Sequence, residues 1–582
     1  IPLRQFPALR GPVSKIDPTS EDIEQYFLDV LLISKRLAEA VQVIHNHNIV
    51  IGDFSHNNVL IHPETLEIKL IDFEGAIKQG SNDTIALFTP GFVPSSRRKD
   101  RVPSFEDDYY ALGALIFELL TPSISMSEFN SGFSEAYLRE FERDFGMPRK
   151  LSQMILSLLS ENSGNRPEPS IVISQLPEIR SALQPHASVA SNCTPNSEIQ
   201  EVLDGISRHI RATLTPDRQN QLVHSDYNVT NPLEVAHGAL GAAMALKAID
   251  GEVPPEMMAW IFNHPIHSEE YAPGLYNGLS GIAWSLADLG YIEESLEIIK
   301  TAQAHPLLFE TSDMFYGLAG FGLTNLYFYN VTGKPHFLDW CIRVAEILNE
   351  NKMETGDKRG YCWPPPEKNQ ILIGYHRGAS GVAMFLLNLY LVTQEIKFLR
   401  LGRAALDFDL SFAVDISNGV SFPEDDSSTI LFPYWANGSA GVGTTLLRYA
   451  IVTRDEDLMQ LLEKVCSDAA RKYTAVPGLF HGLAGLGNFL FDCYQFTGNQ
   501  HYLDNVYRVI SGMLLFKIDR SEGIAFPGDG LARLSTDFGS GSAGIGLFLD
   551  RVLNQKPNFI FTQDKLIHQV ESLIPNCLAY TS

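Results

Sequence analysis

The sequence predicts a mainly α-helical protein: a smaller N-terminal domain with short β segments, then an α/α toroid of seven helical hairpins. Three observations predict the toroid. A small-residue motif built on Gly-x-x-Gly recurs at His237–Gly241, Tyr276–Gly281, Tyr316–Gly320, Gly374–Gly381, Asn437–Gly441, His481–Gly485 and Ser540–Gly544. Successive copies lie roughly 40–60 residues apart, a spacing that marks a repeat architecture. Most copies lead into an apolar run of helical length, as at Ile282–Leu289, Val382–Leu391 and Leu486–Cys493. Between them the apolar spacing predicts amphipathic helices at Tyr291–His305, Phe337–Asn351, Ile396–Phe412, Leu458–Tyr473 and Tyr502–Phe516. Helical hairpins cannot bury their apolar faces singly, and closing them into a ring of inner and outer helices does so.

Bulk properties narrow the function classes. The chain has 582 residues, of which 45% are apolar and 19% charged, as in a folded globular protein. No apolar run reaches the roughly 18 residues that span a bilayer. Residues 1–20 lack the apolar core of a signal peptide, so no membrane insertion is expected. A net charge of −25 argues against nucleic-acid binding, which needs a basic face. Cys193, Cys341, Cys362, Cys466, Cys493 and Cys577 are scattered without a C-x-x-C pair. That pattern points to reduced thiols in a cytoplasmic setting.

In the N-terminal domain, apolar residues Ile23, Phe27, Val30, Leu31, Leu37, Ala38 and Val41 predict a helix over 21–48, with Ser34 interrupting its buried face. Next, β-rich segments bracket a polar loop, Gly52-Asp53-Phe54-Ser55-His56-Asn57-Asn58, and Glu67–Ile71 leads into Asp72-Phe73-Glu74. This order resembles the catalytic loop and metal-binding motif of protein kinases. Asp53 and Asn58 match the Asp and Asn of H-R-D-x-x-x-x-N, and Asp72-Phe73 matches the start of D-F-G. Thr89–Pro94 resembles the region after the activation segment, Asp107–Leu120 the central helix of the large lobe, and Asn165-Arg166-Pro167 the late Arg-Pro element. The resemblance implies that Asp53 orients the attacking hydroxyl, while Asn58 and Asp72 hold Mg²⁺ with ATP or another nucleoside triphosphate. Gly52 stands where the family has Arg, which implies a loop not gated by phosphorylation. Glu74 replaces the family's third Gly, and no Ala-Pro-Glu follows Val93-Pro94. No Gly-rich loop or phosphate-pairing Lys precedes residue 21. Since the chain opens on Ile1, a fragment lacking the small lobe is expected. The expected domains are therefore a kinase-like large lobe over 1–185, a Ser/Asn/Pro-rich linker over 186–200 and the toroid over 201–582.

In the toroid all seven inner helices are expected to start at one end of the ring. Their free N–H groups and dipoles would then aim at a shared cavity. Polar residues beside the glycines would line it: His237, Asn277, Asp313, His376, Arg377, Asn437, His481 and Asp537.

Seven such motifs behind a kinase-like domain resemble the lanthionine cyclases, and the tandem order is similar to lanthipeptide synthetases. Those enzymes phosphorylate Ser/Thr of a ribosomal precursor peptide carrying a leader, eliminate phosphate, and add Cys thiols to the dehydroamino acids. The family's third-motif Asp corresponds to Asp313 and its fourth-motif His to His376, with Arg377 intervening. Two of the family's three zinc ligands are absent: Ala436 stands in Trp435-Ala436-Asn437-Gly438 and Phe480 in Phe480-His481-Gly482. His481 alone does not make a zinc site, which wants three protein ligands. No zinc is expected, as in the class III synthetases. A Cys thiol (pKa about 8.5) then needs another route to its thiolate. His376 or His481 is expected to act as base or as proton donor to the enolate, with Asp313 assisting. Two other readings compete. One is a toroid glycosidase using Asp313 and Asp537. The other is a pseudokinase joined to a peptide-binding scaffold.

Overall fold

The computed structural model describes residues 1–7, 11, 18–81, 87–95, 102–121, 123–184, 194–227, 231–356, 358–364, 370–417 and 419–568. They fall into two compact units, residues 1–191 and 192–582.

The first unit is built on helix α1 (Ser20–His45). Its start is set by a reciprocal capping box between Thr19 and Asp22. It buries the predicted face, and Ser34 satisfies its hydroxyl on the Val30 carbonyl at 2.7 Å. Short strands follow: β1 (Ile49–Val50) pairs antiparallel with β4 (Ile77–Lys78), and β2 (Val59–Ile61) with β3 (Ile68–Leu70). The N-terminal strip adds to this edge, since the Ile61 N–H donates to the Ile1 carbonyl at 2.8 Å. Helix α2 (Phe105–Glu118) is buried along nearly its whole length. It packs on α4 (Arg149–Leu158), while α1 packs on α5 (Pro169–Ser181); α3 (Phe133–Phe145) lies against α4. The expected linker, 186–200, falls largely outside the described residues. Its last five residues are helical, the first turns of α6 (Asn196–Ala212).

The second unit is a closed ring. Its inner helices are α7 (Ala239–Asp250), α9 (Leu279–Asp288), α11 (Leu318–Thr332), α13 (Ala379–Thr393), α15 (Ser439–Thr453), α17 (Leu483–Thr497) and α19 (Ser542–Leu553). Each touches the next, and α19 touches α7. The outer helices are α8 (Pro255–Asn263), α10 (Ile292–Gln303), α12 (Pro335–Asn351), α14 (Ile396–Leu410), α16 (Glu456–Ala469) and α18 (Gln500–Met513), each packed on the inner helix before it. The seventh outer position is filled by α6, which packs on α19 and α7. One hairpin is thus made from the two ends of the unit, and this fastens the ring.

The repeated glycines have a steric reason. At the second glycine of each motif (241, 281, 320, 381, 441, 485, 544) a Cβ would overlap the carbonyl oxygen six residues earlier. Only a hydrogen lets the incoming strand lie that close across the helix start.

Two three-stranded sheets interrupt the helices. β5 (Val414–Ile416), β6 (Gly419–Pro423) and β7 (Leu431–Phe432) precede α15; β8 (Ile518–Arg520), β9 (Gly523–Pro527) and β10 (Leu534–Ser535) precede α19. Both central strands are buried on both faces. They carry the loops that bring acidic side chains to the ring mouth.

Candidate functional site

In the first unit the polar loop between β1 and β2 brings together the residues the motif predicts. The Asn58 amide donates to the Asp53 carbonyl at 2.9 Å and to its Oδ2 at 3.4 Å. The Thr89 hydroxyl donates to Asp53 Oδ1 at 2.9 Å. Thr89 was legible in sequence only as part of a segment, and here it fixes the carboxylate. The loop is anchored from below by buried Asp108 of α2, which accepts the N–H groups of Ile51 (2.8 Å) and Gly52 (3.1 Å) and pairs with His45 at 2.7 Å. A hydrogen bond to each of two backbone amides fixes the loop without a side chain at position 52. Gly52 has φ +84°, and a Cβ there would overlap the Gly75 carbonyl, so no side chain fits where the family has Arg. Asp72 is exposed and held at φ 60°, a strained geometry for a non-glycine residue. The late Arg166 is buried and spends its guanidinium on the carbonyls of Ser160, Glu106 and Glu161.

In the second unit the residues two before the first glycine of each motif form a closed backbone circuit. The N–H of Ala236 donates to Tyr276 O, Tyr276 to Phe315 O, Phe315 to His376 O, His376 to Ala436 O, Ala436 to Phe480 O, Phe480 to Gly539 O and Gly539 back to Ala236 O. All seven are 2.8–3.3 Å long. Inside this circuit the centre is filled by rings. Tyr276 stacks on Phe315 at 4.1 Å and Trp435 on Phe480 at 5.7 Å, and Phe538 sits 6.0 Å from Phe480. Where one shared central cavity is expected, the centre of the circuit is an aromatic floor. The helix starts are not free either. Their N–H groups donate to carbonyls of the incoming strand, as Leu279 to Ala272 (2.8 Å), Leu318 to Thr311 (3.0 Å) and Ala484 to Pro477 (3.0 Å). At Gly374–Gly381 buried Asp409 takes the N–H groups of Gly374 and Ser380 at 3.1 and 2.8 Å. The expectation of seven free helix termini aimed at a ligand is therefore corrected. A Gly cap has no side chain to offer, so the strand lying over it supplies the acceptors.

The polar residues lie around the rim of this floor. Asp313 is buried, accepts the Tyr316 N–H at 2.7 Å, and lies 3.8 Å from the Arg377 guanidinium. Burial pushes its carboxyl up to about 6, against the pull of that N–H and of Arg377. The His376 ring lies 3.6 Å from Phe315, and its Nε2 is buried without a hydrogen-bond partner. Burial, reinforced by repulsion from the nearby Arg377 guanidinium, holds its pKa well below the usual value, so the ring is neutral. Asn277 and Asn437, beside the motif glycines, likewise each leave a buried side-chain oxygen unpartnered. His481 is more open, and its Nδ1 faces Asp529 Oδ2 at 3.0 Å, where the carboxylate accepts.

His237 and Asp537 make a second dyad at 3.0 Å. The sequence placed both beside glycines, but nothing in it paired residues 300 positions apart. It also gave no signal for Ser225, Tyr227 and Asp529, which complete the network. The Ser225 hydroxyl donates to Asp537 at 2.6 Å, the Tyr227 hydroxyl to Asp529 at 3.0 Å, and the Tyr227 ring stacks on His237 at 4.2 Å. Glu234, buried beside them, is raised to about 7 by burial.

Ala436 is fully buried and carries no ligating atom. The Phe480 ring fills the floor between Phe315, Trp435 and Tyr276. Among the described residues no group of three His, Cys, Asp or Glu is disposed to hold a metal. The residues present do not fit a zinc ion.

A family model described as lanthionine synthetase C-like protein matches residues 256–563, more than half of the chain. The chain belongs to this lanthionine synthetase C-like family. In this LanC-like chain a second model, protein kinase domain, matches residues 20–175. A "Probable SapB synthase" of Streptomyces coelicolor is 25% identical over 584 residues, covering 96% of this chain and 61% of that protein. The chain thus spans about three fifths of that relative's length. Two forms of a Drosophila melanogaster cGMP-dependent protein kinase, isozyme 2, are each 30% identical over 138 residues, 22% of this chain. A kinase domain followed by a LanC-like toroid without zinc ligands fits a class III lanthipeptide synthetase.

Proposed function

We propose that the LanC-like chain serves two steps of lanthipeptide synthesis on a ribosomal precursor peptide, in the cytoplasm. The first unit phosphorylates Ser/Thr side chains with ATP or another nucleoside triphosphate, as the prelude to dehydration. The second adds Cys thiols to the resulting dehydroamino acids without zinc. The observation that carries the cyclase half is the unpartnered, neutral Nε2 of His376 beside a buried aromatic floor.

In the first unit Asp53, clamped by Asn58 and Thr89, orients the substrate hydroxyl and accepts its proton. The Asn58 amide nitrogen is used by Asp53, which leaves its oxygen for a cation. Asp72 offers a second carboxylate oxygen, since Oδ1 takes the Glu74 N–H at 3.3 Å. These two side chains suit Mg²⁺, which would supply charge neutralisation for the phosphates.

In the second unit His376 takes the thiol proton as the sulfur attacks the alkene carbon. A neutral imidazole at neutral pH can do so without first losing a proton. Asp313, half protonated near pH 6, and Arg377 steer the charge that develops on the peptide carbonyl. His481, oriented by Asp529, stands at the entrance as a second proton carrier.

The test uses the full-length protein with Mg²⁺, a nucleoside triphosphate and precursor peptide, read by mass spectrometry. Asp72→Asn abolishes phosphopeptide formation. On a pre-dehydrated peptide, His376→Ala lowers ring formation by about 10²-fold or more, and His481→Ala lowers it less. A His376→Ala protein that forms rings at the wild-type rate removes the assignment, and stoichiometric zinc in the purified protein removes the metal-free route.

A further inference from the structure

We propose that His237 is the proton donor that completes ring formation, delivering a proton to the α-carbon of the enolate, with Asp537 as its positioning residue. The inference rests on the cyclase reading above and divides the proton work between two histidines.

The geometry begins at Asp537. It is fully buried, and its Oδ1 accepts the N–H groups of Ser540 (2.7 Å) and Gly541 (3.0 Å) at the start of α19. Its Oδ2 accepts the Ser225 hydroxyl and faces His237 Nδ1 at 3.0 Å. A carboxylate so supplied with donors can only accept, so Nδ1 carries a hydrogen. The proton available for transfer is then on Nε2, the far corner of the ring. The imidazole plane is fixed on both sides. Tyr227 stacks on it at 4.2 Å, and Phe480 meets it edge-on at 6.0 Å. A Cβ at Gly539 would overlap the Phe480 ring first and also press on the imidazole Cε1, so this bare position leaves room for both rings.

The charges facing His237 come from separate elements: Asp537 before α19, Glu234 before α7 and Asp529 from the loop after β9. Burial opposes a charged ring here, but these three carboxylates outweigh it and raise the His237 pKa. Asp537 shows the counterpart. Burial favours its acid form, yet His237 and the hydrogen bonds from His237 and Ser225 keep it ionised. On the same rim His376 is driven the opposite way. Two like groups pushed apart in this manner mark an acid and a base.

The step balances. The thiol proton passes to His376, and the sulfur lone pair forms the C–S bond to the β-carbon. The alkene pair moves to the α-carbon and carbonyl as an enolate, and the proton on His237 Nε2 forms the α C–H bond. His237 is left neutral and His376 charged, and exchange with water resets both.

The experiment uses full-length His237→Gln, with folding checked by thermal melting, on pre-dehydrated peptide. The rate of ring formation is expected to fall about 10²-fold or more, and the new α-centre to lose its single configuration as water becomes the donor. Asp537→Asn is expected to move the alkaline limb of the pH–rate profile to lower pH, a change that a purely structural role does not produce. A folded His237→Gln protein making rings of one configuration at the wild-type rate overturns the inference. This holds whatever Asp537→Asn does to folding. A wild-type protein that makes no rings overturns the cyclase reading itself.

Discussion

At position 52 the absence of a side chain does structural work. The left-handed backbone and the nearby Gly75 carbonyl exclude any Cβ, so Gly52→Ala is expected to cost at least about 1–2 kcal/mol from the backbone alone. Denaturant unfolding of the first unit, with phosphorylation measured in parallel, checks it. A second residue-scale consequence concerns Glu234. Its folded pKa of about 7 lies above the ordinary 4.5, so the folded state holds a proton that the unfolded chain has lost. Stability therefore falls as pH rises from about 4.5 to about 7 and stays lowered above. Glu234→Gln is expected to raise the melting temperature at pH 8, worth up to about 3 kcal/mol, and to change it little at pH 4. Melting curves across that range decide it. The residues behind both predictions were unevenly legible in the sequence. Gly52 stood out because a motif surrounded it. Glu234 did not, because its burial comes from segments far along the chain.

Among the elements, the segment after α19 is the one with the largest unforeseen role. Residues 556–568 run beneath the ring on the side away from the motifs. The Ile560 carbonyl accepts the Tyr276 hydroxyl at 3.1 Å, so this segment reaches the aromatic floor. Asp564 joins buried Arg448 at 2.7 Å; Arg448 also holds Asp492, and Asp492 holds Arg551 at 2.5 Å. Removing one partner of such a set leaves charge buried. Asp492→Asn, which removes the buried carboxylate shared by both arginines, is expected to cost about 3–5 kcal/mol. Asp564→Asn, at a partly exposed carboxylate, is expected to cost clearly less. Chemical denaturation of the two variants compares them. The inner and outer helices were readable because their apolar periodicity is local. The sheets β5–β7 and β8–β10 were not, since Gly419–Pro423 and Gly523–Pro527 are short runs buried on both faces with no alternation to betray a strand. Residues 556–568 carry no periodicity either, since their partners are spread over α7, α11, α15, α17 and α19.

For the whole molecule the ring is held by two kinds of closure, helix packing and a single backbone circuit. The repeat period announced the ring, because a steric need that recurs at each turn leaves a recurring glycine. The chemistry at its mouth was only half visible. His376, His481 and Asp313 stood beside motifs, whereas the His237–Asp537 pair exists only where the first repeat meets the last. That seam has a consequence during synthesis. The proton donor is split between a residue made early and one made some 300 residues later, and the circuit's last link, Gly539 to Ala236, joins the same two segments. A nascent chain still lacking its final repeat has neither the closed circuit nor the dyad, so the paired donor comes into being only once the last repeat has docked on the first.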